Sequence, residues 1–221
     1  MLRHFQEELE ELQRNLLEMA GLVELAVHDS VQALTQRDRE RAQRVLVNEA
    51  RINQMEIRID DLATRLLALH QPMAKDLRFL TASIKINNDL ERMGDLAVNI
   101  VERALSLIAQ PPVKPLIDMP RLAHLAESMV HNCLDAFVRR DSDLARSVLV
   151  SDDAVDDLRD SICQELVSFM ETDPSTIARS LDLILVARSL ERIADHATNI
   201  AEDVLFLTKG IDVRHHSEAR N

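Results

Sequence analysis

Apolar residues recur at helical spacing along almost the whole chain. The run Ile52, Met55, Ile59, Leu62, Leu66 and Leu69 is representative, returning to one face every three or four residues. The pattern breaks at few places: near Arg37-Asp38, at Gln71-Pro72, over Gln110-Pro-Pro-Val-Lys-Pro115 with Pro120 behind it, at Arg140-Asp141, and at Thr172-Asp173-Pro174. Proline cannot continue a helix and Asp caps the next one, so each break reads as a helix end. Six helices are predicted, over roughly 3–36, 38–70, 73–109, 119–139, 141–171 and 174–208. The segment from Gly210 onward is polar and reads as a loose tail.

The six segments form two sets of three. Arg37-Asp38 followed by Ala42, Val45, Leu46 and Val47 matches Arg140-Asp141 followed by Ala145, Val148, Leu149 and Val150, at an offset of 103. His28 and His131 keep that register, as do Ile52 and Val155, Met55 and Leu158, Ile59 and Ile162. In the third segment the offset falls to 100, and LERMGDLAVNI at 90–100 matches LERIADHATNI at 190–200. A three-residue deletion at a turn, with register kept on both sides, is what a duplicated helical unit shows. The fold class is therefore all-α: two pseudo-symmetric three-helix bundles, each up-down-up. The expected organisation is a first repeat over 1–110, a proline-rich linker and hinge at 111–120, a second repeat over 121–209 and a flexible tail at 210–221.

Composition narrows the function classes. The 221 residues carry a net charge of −12, which argues against binding a phosphate backbone; no nucleic acid is expected. Three Gly and no Trp or Tyr suit helices. Cys133 and Cys163 fit no zinc spacing and read as reduced core thiols. No signal-peptide run or membrane span of roughly 18 apolar residues is present, so a soluble cytoplasmic protein is expected.

The repeated polar residues are the candidate chemistry. At about 100° per residue, Glu91, Asp95, Asn99 and Glu102 fall within an arc of roughly 80° on one helix side. In the second repeat the stripe is Glu191, Asp195, Asn199 and Glu202, with His196 beside it. The preceding helix carries Glu49, Asn53, Glu56 and Asp60 at i, i+4, i+7 and i+11, and the register sets Asp152 and Asp156 opposite Glu49 and Asn53. In an antiparallel hairpin both stripes share one groove. Crowded carboxylates repel unless a cation or proton neutralises them, and hard oxygen ligands suit Mg²⁺, Ca²⁺, Mn²⁺ or iron. The plain alternative is a solvated helix face or a salt-bridge layer inherited by both copies. The second copy is the poorer one, because Arg159 and Cys163 stand where the first has Glu56 and Asp60. His28 and His131 read as satisfied structural imidazoles and the methionines as core filler. His215-His216 is given no role. No glycine-rich phosphate loop, nucleophile elbow or Glu-x-x-His pair is present, so no enzyme is expected.

Taken together these residues resemble the PhoU family, regulators of bacterial phosphate uptake and of the phosphate-starvation response. His4 to Leu9, Gln71-Pro72 with Asp76-Leu77-Arg78, and the two LER-x-x-D-x-A-x-N-I copies carry the resemblance over nearly the whole chain. It implies two three-helix bundles with E(D)-x-x-x-D motifs that hold metal clusters in some members, with Fe, Mn, Mg, Zn or Ni as the candidate ions. Carried over, the motif residues are Glu49 and Asn53 with Glu91 and Asp95, then Asp152 and Asp156 with Glu191 and Asp195. Asn99, Glu102, Asn199 and Glu202 are additional candidate ligands. Asn53 departs from a carboxylate, so the first pair of helices lacks one formal charge. The resemblance further implies a non-enzymatic negative regulator, a homodimer, linking the ATPase of a phosphate ABC transporter to a sensor histidine kinase. Competing readings are a metal-storing or metal-dependent catalyst, a helical scaffold with solvated acids, and a paralogue serving another transporter.

Overall fold

The computed structural model describes residues 2–114 and 116–210, with side chains from His4 onward. The elements are α1 (Leu2–Thr35), α2 (Arg39–His70), α3 (Ala74–Ile108), α4 (Asp118–Arg139), α5 (Ser142–Thr172), a 3₁₀ turn at Pro174–Thr176, and α6 (Ile177–Lys209). No strand occurs among the described residues. Gly210 closes α6 in the left-handed conformation; the rest of the expected tail, with His215-His216, lies outside the described residues.

The same local chemistry builds both halves. Asp38 and Asp141, in matching register, cap α2 and α5 by accepting the first free backbone N–H groups. Each follows an arginine in the left-handed region, Arg37 at φ 57° and Arg140 at φ 54°. The third helices enter differently. Three residues, 71–73, separate α2 from α3, whereas Asp173 alone precedes Pro174, whose 3₁₀ turn starts the last helix. That is where the three-residue deletion falls.

Helices α1, α2 and α3 pack on one another, as do α4, α5 and α6. The halves meet mainly along α3 and α6, the most extensive helix pair in the molecule, with α1 against α4 as a smaller second seam. The buried apolar side chains of all six helices make one continuous cluster. The proline-rich connection, expected as a hinge, is pinned. Arg37 donates to the Ile108 and Gln110 carbonyls at 2.7 Å each, Arg179 to Pro111 at 2.9 Å, and Lys114 pairs with Glu165. Val113 and Leu116 pack on the core, and α4 starts at Asp118, with Pro120 inside its first turn, where a missing N–H costs nothing. The first repeat adds a tie that the second lacks: Asp29, buried on α1, accepts from Arg41 at 2.7 Å and Arg44 at 3.2 Å. Burial works against the charged carboxylate, but the two guanidiniums overcome it and hold Asp29 below its ordinary range.

Repacking accompanied the duplication. A Cβ on Gly94 would lie 3.3 Å from Cγ2 of Ile52, tighter than ordinary van der Waals contact. In the second repeat the matching pair is Ala194 and Val155, a methyl moved from one helix to the other. Gly94→Ala alone is expected to yield little or none of the ~1 kcal/mol helix-propensity gain, because the contact opposes it. Combined with Ile52→Val it recovers most of that gain, which a double-mutant cycle in urea measures as a favourable coupling.

Candidate functional site

The first repeat brings the predicted acids together. Glu49, Asn53 and Glu56 on α2 and Glu91 on α3 are half-buried, while Asp95 is exposed. Burial first, then the charges of Asp95 and Glu56, push the Glu91 carboxyl above its ordinary range; Arg92 and His196 pull partly back. Among the described residues none of Glu49, Glu56, Glu91 and Asp95 forms an ion pair with a Lys, Arg or His. No direct ion pair compensates the like charges.

In the second repeat the compensation is built in. Arg159, at the register position of Glu56, donates to Asp160 at 2.5 Å and Asp156 at 3.2 Å and reaches Glu191 at 3.6 Å. Two of the predicted ligands are thus held by a guanidinium from the same helix pair. Loss of surrounding water raises Glu191 and Asp195; the next largest causes are Asp195 for Glu191 and Asp156 for Asp195. Asp152 is half-buried beside them.

Among the described residues no group of three or more His, Cys, Asp and Glu side chains is arranged to hold a metal ion. The donor sets nevertheless differ in what they suit. The first repeat offers oxygen donors with no counter-charge, and repelling carboxylates stand apart unless a cation draws them in. The second does not fit a cation, because Arg159 already supplies one.

The additional candidate ligands divide differently from the expectation. Because α3 and α6 pack together, Asn199 and Glu202 of α6 line a groove of about 560 Å³ with Glu56 and Asp60 of the first repeat's α2. Asn99 of α3 lines the matching groove against Arg159 of α5. Each stripe therefore begins in its own repeat and ends in the other. Glu102 is exposed on α3. Asn199 also donates to Asp89 at 3.3 Å, and His196 bonds the same Asp89 oxygen at 2.7 Å.

Asp89 was not among the predicted site residues. It is 7% exposed and stands on the seam, where α6 supplies its partners. Its counterpart is Ser189, so comparing the copies passes over it. Lys85 and Asp203, paired across the same seam at 2.8 Å, were missed for the same reason, their counterparts being Leu185 and Arg103. His28 and His131 are satisfied, as expected, yet not in the core: they are 49% and 66% exposed and reach across the α1–α4 seam reciprocally, His28 to Glu127 at 3.1 Å and His131 to Glu24 at 2.8 Å. Glu24 and Glu127 share the offset of 103, a signal present in the sequence.

The elevated carboxyls give a pH dependence. An acid raised in the folded state contributes stability fully present below its ordinary value, 4.5 for Glu91, and lost as pH rises through the folded value. Calorimetry in chelator should therefore show Glu91→Gln more stable than wild type at pH 7, with the gain shrinking toward pH 5. Asp29, Asp141 and Asp173, all lowered, act only as pH falls below about 3.8 and leave that window clear.

Comparison with known proteins agrees with the repeat. A family model described as "PhoU domain" matches residues 16–104 and again 119–204. A phosphate-specific transport system accessory protein PhoU homolog from Pseudomonas putida is 44% identical over 214 residues, covering 96% of this chain and 84% of that one. The accessory protein PhoU of Serratia marcescens is 38% identical over 211 residues, covering 96% and 87%. The crystal structure of PhoU from Pseudomonas aeruginosa superposes with a TM-score of 0.91 at 43% identity, covering 94% of this chain and 100% of that one. The phosphate transport system regulatory protein PhoU from Streptococcus pneumoniae gives 0.86 at 28% identity, covering 95% and 99%.

Proposed function

The chain belongs to the PhoU family, and from that premise we propose that it is an accessory and regulatory protein of phosphate-specific transport. In finer terms it is a cytoplasmic, non-enzymatic negative regulator of phosphate uptake and of the phosphate-starvation response. It works as a homodimer that links the ATPase of the phosphate ABC transporter to a sensor histidine kinase. The observation that carries this reading is the likeness to phosphate-specific transport accessory proteins along nearly the full length of both chains. No described helix is long and apolar enough to cross a membrane.

We further propose that the first repeat holds a hard divalent cation through Glu49, Asn53, Glu91 and Asp95, with Glu56 adding charge. Fe, Mn, Mg, Zn and Ni are the candidates, and oxygen donors favour Mn²⁺, Mg²⁺ or iron. Such an ion neutralises the repelling carboxylates; nothing in the donor set asks it to do chemistry.

Deleting the gene in its source organism and measuring phosphate uptake with a starvation-response reporter tests the regulatory role. In high phosphate the reporter and the uptake rate should rise, and the chain supplied in trans should return both to the basal level. Unchanged uptake and reporter in the deletion strain would overturn the reading.

A further inference from the structure

The two grooves along the α3–α6 seam share one frame and carry opposite charge. The groove formed by α2, α3 and α6 presents five carboxylates, from Glu56, Asp60, Asp89, Glu202 and Asp203, against one ammonium from Lys85. Its pseudo-symmetric counterpart, formed by α5, α6 and α3, also encloses about 560 Å³ and presents four guanidiniums, from Arg103, Arg159, Arg188 and Arg192, against the single carboxylate of Glu191. Two positions invert outright, Glu56 against Arg159 and Asp203 against Arg103, and the neutral Asn88 becomes Arg188. In a chain of net charge −12, four arginines from three helices line one concave site, and with Arg159 and Arg103 paired to Asp156, Asp160 and Asp182 its positive surplus rests on Arg188 and Arg192.

Two of these arginines are not used up by their neighbours. Arg188 and Arg192 are exposed, and among the described residues neither has an ion-pair partner. Arg103 meets Asp182 only at 3.5 Å, near the limit of a hydrogen bond. Arg159 is committed through both terminal nitrogens to Asp156, Asp160 and Glu191 and contributes charge to the groove, not a free donor. Planar guanidinium forks match the oxygens of a tetrahedral oxyanion two at a time, which a point-charge ammonium does not.

We propose that this groove is a binding site for orthophosphate, with Arg188 and Arg192 as the principal donors and Arg103 and Arg159 completing the positive field. Glu191 sets the choice of oxyanion. Hydrogen phosphate carries an O–H that a carboxylate accepts, whereas sulfate has no proton to give and meets the Glu191 charge uncompensated. The inference stands on the charge and shape of the groove and not on the regulatory reading above, so either can fail without the other.

Titration calorimetry on the full-length protein at low ionic strength tests it, with inorganic phosphate and sodium sulfate as separate titrants. Wild type should bind phosphate, and sulfate several-fold more weakly. The Arg188→Gln, Arg192→Gln double variant should lose about tenfold or more in phosphate affinity, the loss of two charge-assisted contacts. An Arg51→Gln, Arg58→Gln control removes the same charge from exposed positions on α2 and should bind as wild type does. Since both target side chains are exposed and unpaired, circular dichroism of the double variant should match wild type. No phosphate binding by wild type, equal loss in the α2 control, full binding by the groove variant, or sulfate binding as tightly as phosphate would each overturn the proposal.

Discussion

Leu90→Ala is expected to lower the melting temperature by about 9 °C, and to do so for the whole molecule in one transition. Leu90 is fully buried on α3, next to Asp89, whose bonds to His196 and Asn199 cross to α6. Removing a fully buried leucine side chain costs about 3 kcal/mol, the lost transfer energy plus the cavity left behind, and each kcal/mol moves a chain of this size by about 3 °C. The single transition follows from the continuous core and from the α3–α6 seam, which couples the interiors of the two bundles. Differential scanning calorimetry separates the cases. Two resolved transitions, with only the first shifted by the substitution, would mean that the repeats unfold independently.

Arg159→Glu is the second large effect, and its size depends on the solution. The change restores in the second repeat the acid that the first has at Glu56. In chelator it removes the partner of Asp156, Asp160 and Glu191 and adds a like charge beside them. The Arg159 side chain is 25% exposed, so each contact is partly screened; together the losses amount to about 2 kcal/mol, or about 6 °C. Adding Mn²⁺ or Mg²⁺ should return most of that loss to the variant, because ligand binding to the native state raises stability by mass action. The same substitution puts a carboxylate in the basic groove. A variant as stable as wild type in chelator would show that Arg159 neutralises nothing.

The helices and their caps were legible because proline, Asp38 and Asp141 act locally, within a turn of where they stand. The duplication was legible because register survives in every apolar face. What a helical wheel does not contain is the helix that lies opposite. Glu91 through Glu102 form one stripe on α3, but the crossing of α6 decides that Asn199 and Glu202 serve the first repeat's groove and Asn99 the second's. Arg159 was recognised as a departure from the acidic pattern; its reach to three carboxylates at once needed the structure. Asp89, Lys85 and Asp203 are the converse case. They break the repeat, so a search for recurrence discards them, although they form polar ties between the two copies.

The most direct test of the account is elemental analysis of the purified, untagged protein after incubation with iron, manganese or magnesium. Wild type is compared with Glu91→Gln, Asp95→Asn and separately with Glu191→Gln, Asp195→Asn. A divalent metal near one per chain is expected in wild type, lost from the folded first-repeat variant and retained in the second-repeat variant. Metal lost only from the second-repeat variant, or absent from wild type under all three conditions, would contradict it.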